Sequence, residues 1–505
     1  MSETIDDVTI VGGGDAGLLM ALCVQKMNPG VDVSVVDDFR QDVPQVGKST
    51  YLKIQQILHG TLDIGEQRFI SEVKPVWKAS VYFRDWCGYP AFHYPFDDSQ
   101  KFPSADTADA IEYYYYYYDE IYDSPDHRTR CEAIVEQGKS PWYFSPREGG
   151  YDTYDRVAYH LNTRRFNDFL RDLCRERGVS LVDDEIVDVD VSDGRVERVR
   201  SERQAYEADL YVDATGFNRV IVGELDREFV DFDLPLDSAY NVRVDNDLSE
   251  VVPATVVESG DHGWFWQIDT FDNRDRGYVF ASDYVADEDA LAEFLDEVDG
   301  DVTADDVAKY EFTSGFYERA WTGNCVAIGN AEGFVEPLQS TGLTANAHAA
   351  VTLSNLLSAH GRIADEGIRD SYNDWVARSW RSIYDFISVH YRYADGDTEF
   401  WEDVTALPVS RRVEFLEDEF DRNGFDWSID PTATSDEVED LQTFQPIHFY
   451  ELIRNMGAES AFYESHDFEV SDDVRQDEDE YYQKVADRVD DHVTVEQFYR
   501  GIFGR

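Results

Sequence analysis

Three glycines spaced Gly12-x-Gly14-x-x-Gly17 stand between a short apolar run, Asp7 to Val11, and the helix-forming stretch LLMALCVQKM. Strand, glycine turn and helix in that order can hold a dinucleotide. Gly12 permits the tight turn, Gly14 lets the backbone approach a pyrophosphate, and Gly17 lets the helix pack close. Gly13 and Ala16 complete the turn, and the helix N-terminus offers N–H groups and a positive dipole end to the diphosphate. A second strand, VDVSVVDD, ends at Asp37 and Asp38. Asp37 follows the turn by about 20 residues, where a ribose-binding carboxylate is expected. A purely structural glycine turn is the plainer alternative, and this spacing argues against it.

Lys78 is the second residue that could do chemistry. Residues 73–86 read as a strand whose alternation sets Lys78, Ser80 and Tyr82 on one face, with Trp77, Ala79, Val81 and Phe83 on the other. The chain has only nine lysines, and one held between aromatics on a strand is poorly placed as a solvated surface charge. The five cysteines, Cys23, Cys87, Cys131, Cys174 and Cys325, form no CxxC pair. They read as reduced thiols rather than a disulfide frame or zinc site. The histidines show no paired ligand spacing, so no metal is expected.

The elements that must position these residues belong to a large chain. At 505 residues, 42% apolar and 14% aromatic, it can bury a sizeable core and is not mainly disordered. No apolar run reaches the ~18 to 20 residues of a bilayer span. The N-terminus runs straight into a strand and turn without a signal-type segment, so the expected location is the cytosol. The net charge of −61 repels nucleic acid and anionic membranes. Spread along the chain and poor in lysine, it points to a high-salt cytosol, where self-repulsion is screened within about 3 Å at 1 M.

A helix is expected over 160–178, strands from there to about Glu311, a helix over 344–360, and a largely helical, acidic remainder. The six tyrosines Tyr113 to Tyr118 read as a local cluster packed on the core, with substrate lining as the alternative. The fold class is α/β with α+β insertions. A Rossmann-like module is interwoven with an antiparallel-sheet and helical substrate region in a single large unit. Residues 1–89, 151–224 and 320–360 form the discontinuous cofactor module. Residues 90–150 and 225–319 form a β-rich substrate side, and 361–505 a helical acidic region.

Two further segments favour FAD over NAD. Residues 209–216, ending Ala214-Thr215-Gly216, and 324–330, carrying Gly329, are similar to strands that return beside the nucleotide in flavin oxidoreductases. No second GxGxxG is present, so reducing equivalents come from a nicotinamide bound elsewhere in the fold or from a separate reductase. Several segments, in order, resemble the flavin-dependent tryptophan halogenase family. Val46-Gly47-Lys48-Ser49-Thr50 is similar to its GVGEAT turn, and Trp77 to Trp86 to the strand carrying its active-site lysine. Gly263 to Ile268, with Trp264 and Trp266, resembles its W-x-W-x-I-P signature. Trp321 to Gly342, containing Gly333-Phe-Val-Glu-Pro-Leu-Gln-Ser-Thr-Gly342, is the most specific match. Asp385 to Tyr391 and Asp397 to Trp401 extend the resemblance into the helical region.

That resemblance implies that reduced FAD and oxygen convert a bound halide to hypohalous acid, which passes through an internal tunnel to a lysine beside an aromatic substrate. Lys78 is then the catalytic lysine, since a desolvated amine can hydrogen-bond to hypohalous acid or form a haloamine. Backbone N–H groups at Thr341 and Gly342 would hold chloride or bromide. Trp264 and Trp266 would wall the flavin, their plainer role being core packing. Cofactor contacts fall on Gly12, Gly13, Gly14, Ala16, Gly17, Asp37, Gly47, Ser49, Gly216, Gly329 and Leu343. A flavin reductase is the implied transient partner, and a homodimer is compatible with the sequence.

The chain departs from the family at named positions. Gln339 stands where the family has a glutamate, and an amide cannot act as a general base near neutral pH. Lys48 replaces the glutamate of GVGEAT and Gln45 its first glycine. Asp269 and Glu399 replace prolines, which surface exposure would explain. Three functions remain open: a halogenase of an electron-rich aromatic such as a phenol, pyrrole or indole, a flavin monooxygenase or dehydrogenase, and a non-catalytic redox sensor.

Overall fold

The computed structural model describes residues 3–40, 46–96, 115–116, 118, 128–145, 150–298, 300–424, 444, 446–465 and 469–503. Gln45, Tyr113, Tyr114 and Tyr117 lie outside them. Packing gathers the chain into two compact units, each woven from three segments. The first unit is Met1–Pro75, Leu161–Ala239 and Lys309–Tyr384, and the second is Val76–His160, Tyr240–Ala308 and Asp385–Arg505.

The first unit is built on a six-stranded sheet. Its order is Ser180–Asp183, Asp32–Asp37, Asp7–Val11, Leu210–Asp213, Cys325–Ala327 and Trp321–Thr322. The first five strands are mutually parallel, and only the last is antiparallel. Strands such as Asp7–Val11 are apolar almost throughout and buried, as a parallel sheet covered on both faces requires. The helix Asp15–Met27 buries Ala16 to Val24 without a break. It packs on the helices Gly342–Ala359 and Thr163–Glu176.

The expected helix over 160–178 starts later, at Thr163, with the Asn162 side chain accepting from the Arg165 N–H as N-cap. Residues Ala158–Leu161 are instead a fully buried strand. Local periodicity favoured helix, and pairing with the strand Val76–Lys78 overrides it.

In the second unit the strands Asn273–Phe280, Gly263–Asp269, Ala254–Gly260, Ser80–Asp85 and Phe92–Pro95 lie side by side in that order. Four junctions join these five strands. Three are antiparallel, and Ala254–Gly260 meets Ser80–Asp85 in parallel. The expected strand over 73–86 is broken at Ala79 into Val76–Lys78 and Ser80–Asp85. Of the tyrosine run, Tyr116 and Tyr118 are buried. Tyr118 stacks on Tyr463 at 4.4 Å beneath the Arg454 guanidinium, which is the packing role. Cys23, Cys87, Cys131, Cys174 and Cys325 are buried, and none forms a disulfide among the described residues. Among the described residues no helix is long and apolar enough to cross a membrane.

Candidate functional site

In the first unit the glycine turn is shaped by what cannot fit there. Gly12 has φ +109°, and a Cβ on it would lie 2.3 Å from the Ala214 carbonyl oxygen, so only glycine folds here. A Cβ on Gly17 would lie 2.1 Å from the Gly12 oxygen, which brings the helix hard against its own turn. Gly14 is the opposite case, with no atom within 4 Å of a Cβ position. It caps the helix, and the Leu18 N–H to Gly14 oxygen bond is the first of the ladder. The amides of Asp15, Ala16 and Gly17 precede it and have no intrahelical partner. An open face carrying such donors fits a diphosphate.

Around this turn stand the other expected contacts of the first unit. The Asp37 carboxylate accepts from the backbone N–H groups of Gly13 and Asp38; burial raises its pKa, and those bonds with Arg171 oppose the rise. Gly329, at φ +69°, lets the end of its strand approach Ala16 so closely that a Cβ would sit 3.0 Å from the Ala16 methyl. Gly216 opens a short turn in a left-handed conformation. That turn is tied by buried Asp213, which accepts from Thr215, Ile221 and Val222. Gly47 is buried and Ser49 half-buried. Their segment is fixed by the Thr163 hydroxyl donating to the Val46 oxygen and by the Tyr51 N–H donating to the Thr344 hydroxyl at 3.1 Å. The Lys48 ammonium lies 3.2 Å from the Asp15 carboxylate, at the N-terminus of the first helix.

The segment after Pro337 makes a second N-terminal turn. The Ser340 N–H donates to the Pro337 oxygen at 2.9 Å, and Ser340 takes φ +57°. Thr341 then caps the 18-residue helix Gly342–Ala359 without using its side chain. The Ala345 N–H to Thr341 oxygen bond closes the first turn, leaving the amides of Gly342 and Leu343 ahead of it. Gln339, Thr341 and Leu343 are all buried.

Lys78, Trp264 and Trp266 belong to the second unit. Lys78 is fully buried, and burial holds its pKa well below the usual lysine value. Its Nζ lies over the Phe96 ring, 5.4 Å from the centroid. Trp77, on the opposite face, packs on Trp142, Phe498 and Tyr499. Trp264 and Trp266 are buried on one face of their strand, ring centroids 6.0 Å apart. Trp266 pairs with Gly277 and lies flat across its bare backbone, where a Cβ would come 1.9 Å from the indole.

Three site residues were not singled out from sequence. His160 is one, hidden by the expected helix. Asp269 is the second. Surface exposure does not explain it, because Asp269 is fully buried. Arg274 donates to both its oxygens, at 2.6 and 3.2 Å, and the Val252 N–H donates at 2.8 Å. The five-residue offset to Arg274 across a hairpin was the available signal. Glu399, by contrast, is exposed in the first turn of the helix Glu399–Thr405. Glu332 is the third. It lines a small cleft with Gly329, Asn346, Tyr372 and Trp380. The Trp380 indole N–H donates to it, and burial pushes its pKa up to about 8 against the opposing charges of Arg227 and Arg219.

The sheet order, the glycine turn and the carboxylate on it define the class: an α/β enzyme built to hold a dinucleotide of the FAD type. Within that class the chain belongs to the tryptophan halogenase family, whose model matches residues 7–461. It is 30% identical over 445 residues to the 7-chloro-L-tryptophan 6-halogenase KtzR of Kutzneria sp. (strain 744), covering 80% of this chain and 82% of that one. The structure of the tryptophan 6-halogenase SttH from Streptomyces toxytricini superposes with TM-score 0.84 at 26% identity, over 98% of this chain and 99% of the other. BrvH, a flavin-dependent halogenase from Brevundimonas sp. BAL3, gives TM-score 0.82 at 26% identity over 98% and 99%.

Proposed function

We propose that this enzyme halogenates an electron-rich aromatic small molecule by way of a hypohalous species held at Lys78. The observation that carries the reading is the complete burial of Lys78, which holds its pKa well below the ordinary lysine value and so favours the neutral amine. A neutral amine can donate a hydrogen bond to hypohalous acid or take the halogen as a haloamine. In the halogenation itself the aryl C–X bond forms and the O–X bond breaks. The arene proton leaves with the hydroxide as water.

FAD, when bound reduced, supplies the electrons with which oxygen is activated toward halide. Gly12, Gly13, Gly14, Ala16, Gly17, Asp37, Gly47, Ser49, Gly216, Gly329 and Leu343 are the residues that would hold it, and a separate reductase would supply it reduced. The amides at Thr341 and Gly342 hold the chloride or bromide, as helix N-termini hold anions. Trp264 and Trp266 exclude bulky organic molecules from the flavin. Gln339 orients by hydrogen bonding and takes no proton, which favours phenols, pyrroles or activated indoles over substrates needing a strong base. The net charge of −61 supports a high-salt cytosol as the working medium.

The test is protein with FAD, a flavin reductase, NADH, oxygen and bromide in molar salt, acting on an electron-rich phenol. Regioselective bromophenol is expected, and Lys78→Ala should lower it by roughly a hundredfold or more. Peroxide or hydroxylated phenol alone from wild type would overturn halogenation in favour of a monooxygenase.

A further inference from the structure

Lys78 and Ala158 face each other across the antiparallel pair Val76–Lys78 and Ala158–Leu161, and Val76 faces His160. Directly opposed residues share a face, and so do residues two apart on one strand. His160 is therefore the diagonal same-face neighbour of Lys78, at a Cβ separation of roughly 7 Å. Both side chains are fully buried.

The imidazole is pinned at both nitrogens. Nδ1 lies 3.1 Å from the Asp269 carbonyl oxygen, which can only accept. Nδ1 therefore carries the proton, and in the neutral ring Nε2 accepts from the Thr255 hydroxyl at 2.9 Å. Burial presses the imidazole pKa down to about 3, so the ring stays uncharged, and its two hydrogen bonds set the tautomer. The carbonyl that fixes it belongs to the residue whose carboxylate is held by Arg274, Val252 and Gln267. A chain of contacts thus runs from Arg274 through Asp269 to His160, beside the lysine.

We propose that His160 is a positioning residue for Lys78: an uncharged, tautomer-locked neighbour that fixes the lysine side chain and offers it no counter-charge. This rests on the reading of Lys78 as the residue holding the electrophile. A carboxylate at position 160 would pair with Lys78 and keep it an ammonium. A leucine would fill space without anchoring to Asp269 or Thr255. An asparagine would restore the donor to the Asp269 carbonyl in place of Nδ1–H.

The experiment uses the full chain labelled with 15N-lysine, the Lys78 Nζ resonance being assigned by its loss in Lys78→Met. Wild type should show the Lys78 amine titrating well below the ordinary lysine range. His160→Glu should move that titration back up toward the ordinary lysine range. His160→Leu should lower kcat for phenol bromination roughly 10- to 100-fold, as a small misplacement does, with KM within about threefold. His160→Asn should recover most of that loss. An amine signal unchanged in His160→Glu, or equal losses in His160→Leu and His160→Asn, would overturn the proposal. Should Lys78→Met itself still halogenate regioselectively, the electrophile reading fails, while the resonance still decides whether His160 governs the lysine.

Discussion

The glycine cradle of the first unit and the lysine chamber of the second are built on opposite principles. The cradle is made of backbone: amides ahead of Leu18, a turn only glycine can take, and close approaches that leave no room for a methyl group. Its parts are neighbours in sequence, and its side chains matter mainly by being absent. The chamber is made of the side chains of Lys78, Phe96, His160 and Thr255 and the carbonyl of Asp269, spread over some 190 positions and held by one amine-over-ring contact and two hydrogen bonds. A cradle of the first kind tolerates change in everything except size. A chamber of the second kind tolerates change in hydrogen bonding less than change in size, because an orphaned buried polar group costs about 1–3 kcal/mol.

The largest effect should come from Gly12→Ala. A φ of +109° and a 2.3 Å approach to the Ala214 oxygen should cost roughly 3 kcal/mol or more and abolish FAD retention, read as flavin absorbance after gel filtration. The Lys78 resonance should not move, and a shift there would break the separation of the two regions. Next, Asp269→Ala removes the buried partner of a partly exposed arginine and orphans the Val252 N–H, and should destabilise by about 1–3 kcal/mol. Halogenation should fall while the FAD dissociation constant, from fluorescence titration, changes less than twofold. A matching loss of FAD affinity would contradict the distinction.

The smallest effect is pH-dependent and lies in the first unit. Glu332 has its pKa raised to about 8 by burial, so the folded protein binds this proton more tightly than the unfolded chain. Its stabilisation is full below the ordinary carboxyl pKa of about 4.3 and is lost as pH rises toward 8. Glu332→Gln should therefore melt close to wild type at pH 5 and several degrees above it at pH 9, by calorimetry at constant salt. Parallel melting curves would remove the buried-acid explanation.

How much could be read from sequence follows the same division. Gly12, Gly14, Gly17 and Asp37 were legible because steric limits and a fixed spacing write themselves into adjacent residues. The parallel sheet followed from the same βαβ signal, and the family match extends it across most of the chain. Lys78 was visible as a lysine among aromatics. His160 was not, since LNTRRFNDFL pulls its neighbourhood toward helix and nothing local reports the partner strand at Val76–Lys78. Asp269 was misread as exposed because its compensating charge, Arg274, is revealed only once the hairpin is folded.

Trp266 owes its pose to what residue 277 lacks. Because the indole lies on the bare Cα of Gly277, the two positions act as a single degree of freedom in any attempt to reshape that wall. A library varying 266 alone would search ring sizes against a fixed floor, and one varying 277 alone would mostly eject the ring. Paired variants should show strong non-additivity, of the order of 0.5–3 kcal/mol expected for residues in contact. Room for a different ring at 266 would then be evolved through a residue that has no side chain of its own.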